Sequence, residues 1–408
     1  MEDCTKIDHC LCCGSSDLEF QLDLGTQALA NNCIDNLQVE EPKFPLGVNR
    51  CNHCFHLQLS HAVNPALIYT HYLYVSGTSK TGRDHFKWFA DFATEHLGYW
   101  PSTVLDIGCN DGTQLDYFKM LGLQTFGIDP AQNLHPISSK NHTVYCDFFG
   151  TAIADSMQAE HQMFDVIVAQ NSFAHNPDPV TYLQNIRKIM HDDSKFFIQT
   201  SQADMVLNNE FDTIYHEHIN FFNINSMNEL CKRANLHLDD VVKCPIHGTS
   251  YIFVLKKNKG RPAHIRNLIE CERSKGLLTV ETYNEWANNA RDLVEELVGR
   301  VEAYTVQHGY RAIGYGAAAK GNTLLQFSGL KLEAIIDDNP LKQGLYSPGA
   351  NIPIVSIDYL DQFREDDKIM FVPLAWNFYE EIRGRIKSKR ANRGDRFAKY
   401  FPDVDIEQ

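Results

Sequence analysis

The pattern of apolar and polar positions changes character along the chain. From residue 103 onward, short apolar runs at 104–107, 125–128, 164–169 and 195–198 alternate with amphipathic stretches opening near Gly112 and Asp178. Strands separated by helices in this way predict a mostly parallel sheet. Ahead of them, residues 85–92 space their aromatic side chains as a helix does. Residues 279–308 carry Trp286, Leu293, Leu297, Val301 and Tyr304 on one face without a proline, which predicts a long connecting helix. A second α/β unit follows, opened by Arg311-Ala-Ile-Gly314-Tyr-Gly316 and continued by apolar runs at 334–337 and 369–372. The first 60 or so residues show neither period clearly.

Cysteine supplies what periodicity does not show there, because seven of the twelve cysteines lie in the first 54 residues. Cys10-Leu-Cys-Cys13 and Cys51-Asn-His-Cys54 are two pairs with a two-residue gap, and four thiolates so spaced close a tetrahedron around one structural zinc. A redox pair would stand singly in a βαβ setting, which is absent. Cys4, Cys12, His9 and His53 offer alternative registers for the ligand set. The expectation is therefore an α/β protein of three parts: a zinc-binding segment at 1–75, a central domain at 76–278, and a connecting helix with a C-terminal Rossmann-like domain at 279–408.

A length of 408 residues fits that division, and 43% hydrophobic against 22% charged residues excludes disorder as the main state. The acidic, polar start and the lack of a long apolar run predict a cytoplasmic, membrane-free protein. The net charge of −15 opposes nucleic-acid binding. Eight lysines and arginines crowd between Arg383 and Lys399, read first as a solvated helix and second as contacts to a nucleotide diphosphate.

The central domain carries a ligand signature. Val104-Leu-Asp106-Ile-Gly108-Cys-Asn110-Asp-Gly112 ends an apolar strand in an acid and a glycine-bracketed turn. About 20 residues on, the next strand ends in Asp129, where a carboxylate accepts ribose hydroxyls. The Asp-x-Gly-x-x-x-Gly spacing fits S-adenosylmethionine (SAM) rather than the pyrophosphate of a dinucleotide. Asp147 is a candidate partner of the adenine amino group, and Asn171 follows the fourth strand. Two polar clusters fall where strands of such a sheet end, one containing His175 and one reading Tyr215-His216-Glu217-His218. Ligands bind outside those ends.

These blocks together resemble the nucleotide-sugar C-methyltransferases of deoxysugar biosynthesis. The resemblance spans nearly the whole chain, including Asp23-Leu-Gly25, the Asn-Asp-Gly turn, Tyr215-His-Glu-His218, Gly314-Tyr-Gly-Ala-Ala-Ala-Lys-Gly-Asn322, Asp337-Asp-Asn-Pro, and Ala375-Trp-Asn377. It implies methylation of C3 in a 4-keto-6-deoxy sugar linked to a nucleoside diphosphate, by a monomer. It further implies that His218 is the general base, that Tyr215 and Glu217 support it, and that His175 and Tyr72 line the same pocket. Tyr69, His216, His247, Lys320, Asn322, Trp376 and Asn377 become candidate substrate contacts. Many relatives carry a second glycine and an arginine after the His-Gly of a late strand, whereas this chain reads His247-Gly-Thr-Ser-Tyr251. Two rivals stay open: an N- or O-methyltransferase on a nucleotide sugar, and a non-catalytic, zinc-anchored binding protein.

Overall fold

The computed structural model describes residues 3–70, 72, 75–200, 203–246, 249–390 and 394–408. They divide into two compact units that are interleaved in sequence: Met1–Glu19, Asn49–Asp204 and Glu217–Val280 in the first, Phe20–Val48, Met205–His216 and Glu281–Gln408 in the second. Among the described residues no helix is long and apolar enough to cross a membrane.

The first unit is built on seven strands: β1 (Thr103–Ile107), β2 (Gln124–Ile128), β3 (Thr143–Tyr145), β4 (Phe164–Gln170), β5 (Met190–Thr200), β6 (His237–Cys244) and β7 (Ser250–Lys256). Their order across the sheet is β6-β7-β5-β4-β1-β2-β3. The pairs β1–β2, β2–β3, β1–β4 and β4–β5 are parallel, and β7 is antiparallel to both β5 and β6. The direction of strand succession reverses between β1 and β4, which opens a crevice at their carboxyl ends. Central strands read as unbroken apolar runs because helices cover both faces. Val166 and Val168 of β4 join a cluster with Phe89 and Phe118, whereas Ile167 and Ala169 join another with Ile107, Phe173 and Leu230.

The zinc-knuckle cysteines belong to that second cluster, with Cys10, Cys12, Cys51 and Cys54 all fully buried beside Phe222, Met227 and Leu230. Helix Ile224–Arg233 joins them to the sheet. Asn223 begins it with a reciprocal capping box to Ser226, a device worth about 1 kcal/mol. Three of its polar side chains bind knuckle carbonyls: Asn223 to Phe55 (2.7 Å), Asn225 to Cys54 (3.2 Å) and Arg233 to Cys12 (3.0 Å).

The second unit contains β8 (Arg311–Tyr315), β9 (Ala334–Ile336), β10 (Ile354–Val355), β11 (Ile369–Pro373), β12 (Arg396–Lys399) and β13 (Asp405–Glu407). Their order is β10-β9-β8-β11-β12-β13, parallel except for the β12–β13 pair. The long helix forms at Val280–Glu302 and ends in a π-helical turn over Ala303–Gln307. Trp286 on its buried face donates its indole N–H to the Glu210 carbonyl at 2.9 Å. Of the basic run, Arg383, Arg385, Lys387 and Lys389 lie in helix Tyr379–Lys389, Arg390 follows it, Arg396 and Lys399 lie on β12, and Arg393 lies outside the described residues; neighbouring acids take up much of the charge. Arg385 pairs with Asp338 and Glu381, Lys389 with Asp358 and Asp361, and Arg390 with Asp395 in a buried pair.

Candidate active site and zinc centre

At the zinc centre, the ligand atoms of Cys10, Cys13, Cys51 and Cys54 all lie within 4.8 Å of one another. Cys10 Sγ and Cys54 Sγ are 3.5 Å apart, as are Cys13 Sγ and Cys51 Sγ. Four sulfurs around a zinc at ~2.3 Å define a tetrahedron with edges of about 3.8 Å, so the cluster has the size the ion requires. Each knuckle also turns a backbone N–H onto its first sulfur, Cys13 onto Cys10 (3.5 Å) and His53 onto Cys51 (3.4 Å). Those bonds stabilise the thiolate form. Cys12, equally buried, is outside the set of four, and burial raises its thiol pKa.

In the crevice of the first sheet, β1 delivers Asp106 to a turn in which Gly108 and Gly112 both have φ of +84°. A Cβ on Gly108 would come within 2.5 Å of Ser172, and one on Gly112 within 3.1 Å of His142, so the turn admits only glycine. Asn110 and Asn171 also adopt left-handed backbone, at φ of 52° and 56°. Asp129, at the end of β2, accepts the N–H of Asn110 (2.8 Å) and of Ala131 (2.9 Å), which ties the two turns together. Burial raises the Asp129 pKa. Burial, then the charges of Asp129 and Asp111, pushes Asp106 up to about 8. Asp147 is exposed and accepts from the N–H of Phe148 (2.7 Å). The glycine turn, the acid after β2 and the exposed acid after β3 have the chemistry to hold an adenosine and its ribose.

A short segment ahead of the sheet closes over this turn. Asn110 accepts the N–H of Ser76 (2.9 Å), and Asp111 that of Gly77 (3.0 Å). Nearby, polar groups end the apolar strands β4 and β5: Gln170 donates to Gln114, and Gln199 Oε1 lies 2.6 Å from His85 Nε2. The sequence reading missed His85 and these glutamines. The signal for Gln170 and Gln199 was a polar residue at the carboxyl end of each apolar run; His85, within helix Lys80–His96, had none.

Beside the crevice the structure gathers Tyr69, Tyr72, His175, Glu217 and His218. His175 ends a single 3-10 turn, Phe173–His175, after β4. Its ring stacks with that of Tyr69 (5.5 Å, 9°) and with that of His218 (5.3 Å, 25°). Burial lowers the His175 pKa to about 4, so this imidazole is neutral at physiological pH. Glu217 is buried, and its Oε2 accepts the Tyr72 hydroxyl at 2.6 Å. Tyr72 is tethered in turn to the loop after β2, exchanging two bonds with Asn133 (3.1 and 2.8 Å).

The other candidates occupy different settings. The division between units falls within the Tyr215–His218 loop, leaving half-buried Tyr215 and buried His216 in the second unit. The His216 ring packs edge-on to Phe44 at 6.0 Å, and its Nε2 lies 3.2 Å from the Phe44 carbonyl oxygen. In that unit, Lys320 sits over the Trp376 ring at 4.9 Å, and Trp376 donates to buried Asp212 at 2.8 Å. Asn377 follows Trp376 in the same turn beyond β11. Asn322 is buried and donates to the Ala30 carbonyl at 2.7 Å. His247 lies outside the described residues.

This combination of a four-cysteine centre with a methyltransferase sheet and a second α/β unit agrees with family comparisons. Three family models match in succession: "Putative zinc binding domain" over residues 10–69, "Methyltransferase domain" over 83–241, and "C-methyltransferase C-terminal domain" over 245–402. The C-methyltransferase NovU of Streptomyces niveus is 30% identical over 423 aligned positions, covering 100% of this chain and 98% of that protein. The chain belongs to this C-methyltransferase family and is a SAM-dependent methyltransferase with an N-terminal zinc-binding domain. A ubiquinone biosynthesis O-methyltransferase of Hahella chejuensis is 27% identical over 116 residues, 27% of this chain and 48% of that protein. A solved SAM-dependent methyltransferase from Clostridium acetobutylicum, 12% identical, covers 43% of this chain and 92% of that one with a TM-score of 0.36.

Proposed function

We propose that the enzyme methylates C3 of a 4-keto-6-deoxy sugar carried on a nucleoside diphosphate, with His218 as general base. The observation that carries this reading is the group of Tyr69, Tyr72, His175, Glu217 and His218 beside the crevice. A C–H next to a ketone is acidic enough for a neutral imidazole when the developing enolate oxygen receives hydrogen bonds. His218 takes the C3 proton, and the imidazole of His175 is the donor for the oxygen at C4, the Tyr69 and Tyr72 hydroxyls both being donated to Glu217. Glu217 holds the Tyr72 hydroxyl in place, and the enolate carbon is aligned for an in-line displacement. SAM supplies the electrophilic methyl group. Asp106, Gly108, Asn110, Gly112, Asp129, Asp147 and Asn171 form its site in this reading.

Residues 1–75 then serve as the zinc-binding segment, 76–278 as the methyl-transfer domain, and 279–408 as the holder of the nucleotide, with Lys320, Trp376 and Asn377 as its contacts. The test is mass spectrometry of products from TDP-, GDP- and UDP-linked 4-keto-6-deoxy sugars with SAM, paired with deuterium incorporation at C3. Methylation of an oxygen or nitrogen without C3 exchange would refute the carbon-acid mechanism.

A further inference from the structure

We propose that Asn220 is a positioning residue that links the zinc knuckle to the two stacked imidazoles, His175 and His218; the functional half of this inference rests on His218 being the base. Asn220 is fully buried and stands two residues beyond His218 in the chain. Its short strand, Asn220–Phe221, pairs antiparallel with Gln58 and Leu57, just past the second knuckle. Its side chain reaches in two directions. Oδ1 accepts from Nε2 of His56 at 3.1 Å, and Nδ2 donates to the carbonyls of Ala174 (3.2 Å) and Asn176 (2.8 Å), the residues on either side of His175. The backbone repeats the connection, with Ile219 N–H on the Ala174 carbonyl (3.0 Å) and Leu59 N–H on the Ile219 carbonyl (2.9 Å).

His56 is itself fully buried, packs on Phe222 at 5.0 Å, and follows Cys54 by two residues. One amide thus joins three segments distant in sequence: the residues just past the knuckle, the turn that carries His175, and its own short strand, which begins two residues after His218. An apolar side chain would fill the same space, but it would not fix the carbonyls on both sides of His175. A fully bonded amide in a dry interior does so with little freedom. Because His175 and His218 stack on each other, a shift of the turn carrying one moves the surface against which the other packs.

The experiment uses the full-length, zinc-loaded enzyme. Asn220→Asp keeps the acceptor for His56 and removes both N–H donors; His56→Phe cuts the link at its other end. Histidine ring nitrogens are observed by NMR, with His175 and His218 assigned from their glutamine variants and His191 as a control. Turnover is read with TDP-linked 4-keto-6-deoxyglucose or the GDP-linked ketosugar, whichever the wild type uses. We expect the His175 and His218 signals to move in both variants while His191 does not. We further expect kcat to fall about 10- to 100-fold with KM changed by less than about threefold, the scale of a small misplacement of reacting groups. Zinc content and S-adenosylhomocysteine affinity should be unchanged. Unmoved ring signals with wild-type kcat overturn the proposal. So does loss of zinc, cofactor affinity or folding in step with activity in both variants, which would assign Asn220 to stability alone. Wild-type kcat in His218→Ala would instead remove the base reading, and the NMR arm would still decide whether Asn220 sets the two rings.

Discussion

Replacing Cys51 with serine should cost the protein its folded first unit. Cys51 is fully buried and its sulfur lies 3.5 Å from that of Cys13, so serine puts a neutral hydroxyl where a thiolate ligand is required. A structural zinc contributes on the order of 10–16 kcal/mol of apparent binding free energy, against a total stability of about 5–15 kcal/mol for a domain. What remains to hold the knuckles includes the bonds from Asn223, Asn225 and Arg233 to the carbonyls of Phe55, Cys54 and Cys12. At roughly 1 kcal/mol each they do not replace the metal. The loss should spread, because the knuckle cysteines share a hydrophobic cluster with Ile107, which leads into the glycine turn, and Phe173, which begins the His175 turn. Elemental analysis, thermal unfolding and calorimetric titration with S-adenosylhomocysteine measure the outcome. Cys51→Ser should be insoluble, or zinc-free with cofactor binding abolished. Zinc-free Cys51→Ser that binds S-adenosylhomocysteine and unfolds at the wild-type temperature would refute the reasoning.

Asp129→Asn should weaken SAM binding by about 1.5–3 kcal/mol, the scale for losing a charged hydrogen-bond partner, while sugar-nucleotide affinity measured by calorimetry changes little. The carboxylate also accepts the Asn110 and Ala131 N–H groups, one on each oxygen, so asparagine keeps one of these bonds and alanine neither. His218→Ala should lower kcat by roughly 10²–10⁴ and abolish deuterium exchange at C3, with SAM affinity nearly intact; exchange at the wild-type rate would place the base elsewhere. Burial holds the His216 pKa down at about 4, so the unfolded chain takes up that proton first as pH falls. The neutral ring's contribution, present above about pH 6.5, should be lost progressively toward pH 4, by ~3 kcal/mol, and His216→Phe should flatten that part of a denaturation-against-pH series.

Features whose chemistry is local were legible in the sequence. Two cysteine pairs with two-residue gaps announce a metal wherever they occur, and Gly108 and Gly112 mark a turn that their backbone angles require. The parallel order of β1, β2, β4 and β5 followed from apolar runs between helical stretches. The antiparallel β6 and β7 did not stand out, because only a short connection, too short for a crossover helix, separates the half-buried β6 from the apolar β7. Stacking of Tyr69, His175 and His218 left no local signature, since the three lie on separate segments and meet only through the fold. Near the C-terminus, Arg385, Lys389 and Arg390 have acidic partners, a pairing that the run of basic residues alone does not show.

That contrast bears on why an enzyme whose proposed chemistry is a proton transfer and a displacement carries a zinc at all. The knuckle segments are too short to build a core, and they solve this by placing cysteine sulfurs inside the cluster that packs beneath the methyltransferase sheet. Metal binding therefore fixes more than its own turns. It fixes the strand Leu57–Leu59, whose backbone and whose neighbour His56 hold Ile219 and Asn220. The catalytic groups proposed here sit on loops, which on their own tolerate displacement. Tying the loop of His218 to a metal-rigidified strand on one side and to the His175 turn on the other gives those loops the stiffness that an aligned carbon acid needs.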